Sequence, residues 1–122
     1  MAFHTVTETM TGVVAAADLS AYQYHFVKMT TTGIDICGAA MAHGVLQNKP
    51  TALGEPASVV TKGCVKVMAG ALVVKGVMVM SDADGHGITA TSGNFQQGIC
   101  RAGSTAAGEY ITVEIGSTDY TP

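Results

Sequence analysis

The stretch "ASVVTKGCVKVMAGALVVKGVMVM", residues 57–80, decides the fold. In its first half, Val59, Thr61, Val65 and Val67 fall on one side of an extended chain. Val60, Lys62, Cys64 and Lys66 fall on the other, and this period of two belongs to a β-strand. The small residues "AGA" end that strand, and "LVVKGVMVM" (72–80) reads as the next. Leu72, Val74, Met78 and Met80 share one of its faces. Val73, Val77 and Val79 share the other, with only Lys75 interrupting. A strand apolar on both faces is covered on both faces. The cover is either a second layer of the same core or another subunit.

Working outward, the same vocabulary recurs. "YQYHFVKM" (22–29) alternates, with Tyr22, Tyr24 and Phe26 on one side and Gln23, His25 and Val27 on the other. "GIDIC", "HGVLQ", "HGITAT", "QGICRA" and "EYITVEI" are further short extended pieces. "NKPTALGEP" (48–56) carries two prolines and a glycine and reads as a loop. Roughly seven to nine short strands separated by turn residues indicate an all-β fold, a compact β-sandwich or barrel-like domain of short antiparallel strands. "TGVVAAADLSAY" (11–22) is the one helical candidate. Its Gly12, Val13 and Val14 weaken a helix and favour an extended arm or a single turn. The expected organisation is an N-terminal extended arm over residues 1–17 and one β-rich domain over 18–122.

Composition narrows the function classes. Of 122 residues, 48% are hydrophobic and 12% charged, about half the usual charged share. A free monomer normally carries more surface charge, so the balance points to a chain that hides surface in an assembly. The net charge of −3 and the scattered basic residues, of which Lys62 and Lys66 come closest to a cluster, argue against nucleic-acid binding. Cys37, Cys64 and Cys100 are odd in number and lie in or beside apolar runs. They read as buried thiols in a reducing compartment. "MAFHTVTETM" lacks a signal-peptide pattern, and no run reaches the ~20 apolar residues of a membrane span. A soluble chain made in a cytoplasm is expected.

"SDADGHG" (81–87) is the densest candidate for site chemistry. Counted from Asp82, an EF-hand loop requires a Glu at its twelfth position, where Gly93 stands. Zinc requires three or four ligands, and only His86 and a carboxylate are local. Asp and Gly between two strands instead favour a hairpin turn. His4, His25, His43 and His86 show no paired spacing, and His25, alternating with aromatics, reads as a strand-surface residue. Cys37 with His43 could form a nucleophile and base, but no orienting acid is evident. "SGNFQQG" (92–98) has no helix after it to cradle a phosphate. No catalytic, cofactor-binding or metal-binding residue is expected, and the chain is not read as an enzyme.

Four segments taken together, "DLSAYQYHFVKMTTTG" (18–33), "HGVLQNKP" (43–50), "GEPASVVTKGCVKVMAGALVVKGVMVMSDADGHGITATSG" (54–93) and "GEYITVEI" (108–115), resemble the small capsid cement (decoration) proteins of tailed bacteriophages. The match in order and spacing covers residues 18–115. Residues 1–17 carry no part of it. The resemblance implies a structural virion protein on the outer surface of an assembled capsid. It would bind the major capsid protein, stabilise contacts between capsomers and self-associate, commonly as a homotrimer, with no catalytic residues, cofactor, nucleic acid or membrane. The N-terminal arm, with its Val, Thr and Phe, suits strand addition to an exposed edge.

Two other classes compete. A small β-barrel module binding a ligand or a host surface would need a concave site lined with aromatics, whereas the chain has four Tyr, three Phe and no Trp. A jelly-roll metal enzyme would need the scattered histidines to meet in space.

Overall fold

A computed structural model describes residues 8–10, 13–38, 42–91 and 98–115, the first three by backbone alone. Within them the chain is all-β. The strands are β1 (Glu8–Met10), β2 (Phe26–Met29), β3 (Ile34–Ile36), β4 (Gly44–Leu46), β5 (Val59–Met68), β6 (Met78–Ser81), β7 (Gly87–Thr89), β8 (Gly98–Ala102) and β9 (Tyr110–Ile115). All pair antiparallel in one sheet of order β3-β2-β4-β5-β9-β8-β6-β7, with β1 added on β5.

The ten-residue β5 organises everything. Its first part, Val59 and Val60, pairs with β4, and β1 lies along its other side. Its second part, Gly63 to Met68, pairs residue by residue with β9. Beyond β9 the sheet curls through β8, β6 and β7 until Gly87 forms a parallel bridge with Ala69, just past the end of β5. The Gly70 N–H donates to the Gly87 carbonyl at 3.0 Å. The other half curls too, since Ala15 bridges Ile34 of β3 and Val14 bridges Pro56 just before β5. The barrel-like reading of the sequence therefore describes the sheet well.

Curling creates two cores inside one chain. The larger contains Phe26, Val45, Val60, Val65, Val67, Val79, Cys100, Ile111 and Val113. The smaller contains Ala15, Leu19, Val27, Ile34, Leu46 and Val59. Adjacent residues of β2, β4 and early β5 thus go to opposite cores: Phe26 against Val27, Val45 against Leu46, Val60 against Val59. Burying each such side chain contributes about 1.5–3 kcal/mol. In β2, β4 and early β5 both faces are thus covered by the chain itself, whereas in 72–80, the segment read as two-faced, Leu72 and Val74 are left exposed.

Three strand readings change. First, β5 does not alternate evenly. The pairing steps from Glu8↔Lys62 to Thr9↔Val60, so Thr61 is an extra residue, and Gly63 follows at φ 115°. This bulge moves Val60 onto the face of Val65 and Val67. Second, 72–80 is not one strand. Gly76 at φ 94° turns the chain, and the strand begins only at Met78. Third, "YQYH" is a turn: Tyr24 takes φ 66°, and the His25 N–H donates to the Tyr22 carbonyl. His25 is consequently buried, at 4% exposure, and is not a strand-surface residue.

Among residues 1–17, positions 1–7 and 11–12 lie outside the described residues. Glu8–Met10 pairs with β5, and Ala15 is fully buried, with its N–H donating to the Glu55 carbonyl at 2.8 Å. Cys37 and Cys100 are buried as expected, whereas Cys64 is half-buried on the outer face of β5, and none of the three is in a disulfide.

Candidate functional site

The 81–87 segment is the turn joining β6 to β7, as its Asp and Gly content predicts. Asp82 Oδ1 accepts the backbone N–H groups of Asp84 and His86, each at 2.9 Å. The Gly85 N–H returns to the Asp82 carbonyl, and Gly85 itself sits at φ 83°. The other carboxylate oxygen lies 3.3 Å from His86 Nδ1. Ligand atoms of Asp82, Asp84 and His86 come within 4.8 Å of one another. Both oxygens of Asp82 are nevertheless committed within the turn, so the residues are arranged to hold the loop.

Against this turn packs a residue that sequence reasoning placed on the surface. The His25 ring stands 4.7 Å from the His86 ring, centroid to centroid, and edge-on to Tyr22 at 5.4 Å. His25 Nδ1 is 3.0 Å from the Gln23 carbonyl. A carbonyl only accepts, so Nδ1 carries the hydrogen and the neutral ring keeps its lone pair on Nε2. Burial pushes the His25 pKa down, the Gln23 carbonyl opposes that shift, and the nearby His86 adds to it. Sequence alone offered one signal for this meeting: a histidine between Tyr24 and Phe26 in an otherwise apolar stretch.

The remaining histidines do not join them. His43 Nδ1 accepts the Met29 N–H at 2.7 Å, which ties the end of β2 to the segment before β4. His4 lies outside the described residues. Cys37 is turned to the Gly38 carbonyl, so Cys37 and His43 do not form a nucleophile–base pair. The three described histidines therefore do not converge on one centre.

The surface offers a different kind of feature. Leu72 and Val74 are each 56% exposed, while Val73 between them is fully buried. Ser104 sets that geometry. Its Oγ accepts the Val73 N–H at 3.2 Å and donates to the Ala71 carbonyl at 2.9 Å, and its own N–H donates to the Val73 carbonyl. Clamped this way, the chain must turn Leu72 and Val74 outward together. Elsewhere Leu53, Met29 and Val14 are exposed as well. On the outer face of β5 and β9, Tyr110 meets Tyr24 edge to face, and the Lys66 ammonium lies 5.8 Å from the Tyr24 ring centre. Nearby, Arg101 of β8 pairs with Glu114 of β9.

No protein-family model matches the chain, and no curated protein matches its sequence. Among solved structures, the chain is similar to the N base of the head fiber gp8.5 of bacteriophage phi29. The TM-score is 0.65 at 16% identity, over 91% of this chain and 95% of that one. At this identity the likeness is one of fold, and it extends over nearly the whole of both chains.

Proposed function

We propose that this chain is a structural protein of a phage particle, bound to the outer surface of the head, where it stabilises contacts between capsomers. The observation that carries the reading is the shared fold, end to end, with the base of a phage head fiber. The reading of 18–115 as resembling capsid cement proteins suggests the finer role on the shell. The exposed, clamped pair Leu72 and Val74 supports it chemically, because apolar side chains held outward on a rigid loop are suited to burial against a partner. The partner is the major capsid protein, and self-association as a homotrimer accompanies binding. Many copies, each contributing a modest interface, would add up to large avidity across the shell.

The test is direct. Heads assembled from the cognate major capsid protein are mixed with purified chain and sedimented. Saturable co-sedimentation, with a raised temperature of head disruption, supports the proposal. No binding to expanded heads overturns it. Light scattering of the chain alone reads the trimer separately: a mass of three chains supports self-association in solution, and a monomer limits it to the shell.

A further inference from the structure

The segment 24–26 is a junction where several parts of the sheet meet. The Tyr24 N–H donates to the Leu46 carbonyl of β4, and its carbonyl accepts the Met68 N–H of β5. The His25 carbonyl accepts the Leu46 N–H, and the Phe26 N–H donates to the Gly85 carbonyl at 2.8 Å. That last bond fastens the β6–β7 turn to the start of β2, and so joins the two curled halves. Gly85 lets the turn come this close: a Cβ there would stand 2.8 Å from the Phe26 carbonyl oxygen and 3.3 Å from the His25 Cβ.

We propose that His25 and His86 form an acid-released latch across this seam. With the His25 ring neutral, it packs against His86 and holds the β6–β7 turn on β2; with a proton on His25, the buried charge loosens that contact and breaks the Phe26–Gly85 bond.

The titratable and charged groups facing His25 are Tyr22 on its own turn, with Asp82 and His86 on the opposing one, where Asp84 also lies within 4.8 Å of His86. Asp82, 3.3 Å from His86, and Asp84 place their carboxylates on the His86 side of the pair. A proton on the buried His25 meets little water. The direction of the His25 shift agrees with this geometry, because burial lowers its pKa. The folded state therefore binds that proton less readily than the unfolded chain. The resulting stability is complete above about pH 6.5, the ordinary value for histidine, and declines as pH falls below it.

Amide hydrogen exchange on the whole chain, as protection factors at pH 7.5 and pH 5, tests the latch. The Phe26 N–H should lose about tenfold or more of its protection at the lower pH, as a local opening of the turn would produce. The Val113 amide of β9 should change far less. In a His25→Phe variant, which keeps an aromatic ring but takes no proton, the Phe26 loss should vanish. If that variant does not fold, His86→Gln serves, since removing the like charge should shrink the loss. Unchanged Phe26 protection in the native chain, or an equal loss in both variants, overturns the proposal.

Discussion

Val60 and Val65 line the same core, although an odd number of steps separates them on one strand. An even pleat would set them on opposite faces. The extra residue at Thr61 and the positive φ of Gly63 absorb the difference. Upstream of the bulge β5 serves two cores; downstream it serves one.

Gly63 is therefore the position where β5 should tolerate a side chain least. A residue with a Cβ is strained at φ 115°, and such strain costs about 1–3 kcal/mol. Gly63→Val should lower the unfolding free energy by that amount, read in urea as a lower midpoint at unchanged slope. A midpoint equal to that of the native chain would show that the bulge relaxes without cost.

Phe26 stands at the head of β2, 1% exposed, in the larger core. Phe26→Ala should cost about 3–5 kcal/mol, the loss of a large ring plus the cavity left behind. Chemical denaturation would read it. A loss under ~1 kcal/mol would mean that the two cores collapse into the space.

Ser104→Ala removes the acceptor for the Val73 N–H and the donor to the Ala71 carbonyl. A buried donor left without a partner costs about 1–3 kcal/mol. The effect should be local as well: amide exchange at Val73 should accelerate while the β5–β9 ladder stays protected. Uniform acceleration across the molecule would contradict the clamp.

Leu72→Asp with Val74→Asp separates folding from function. Both positions are more than half exposed, so stability should stay within about 0.5 kcal/mol per substitution. Binding to heads should fall by at least about tenfold if these side chains are buried on the shell. Unchanged binding would move the capsid contact to another face.

The Arg101–Glu114 pair joins β8 to β9 on the outer face, with Arg101 half exposed. Arg101→Ala should leave the stability nearly unchanged, because solvent screens exposed ion pairs. Thermal unfolding at low and high salt would check this, with the native chain's small advantage shrinking in salt.

What the sequence determined by itself was the class of structure: short β-strands, the loop over 48–56 and the hairpin turn at 81–87. These follow from local chemistry, since side-chain alternation and the backbone freedom of Asp and Gly act within a few residues. Tertiary structure decided the phase and the partners. Nothing near Thr61 announces that Lys62 will pair with Glu8 while Gly63 pairs with Ile115, because a bulge is set by strands distant in the chain. Likewise Gly76 could have sat inside a strand, and it turns because its N–H finds the Cys100 carbonyl at 2.8 Å. His25 was assigned to the surface by counting alternate residues. Tyr24 at positive φ ended that count, and the β6–β7 turn, some sixty residues away in sequence, closed over the ring. A period of two says that a face exists; which residues share it, and what covers them, is settled only when the sheet curls.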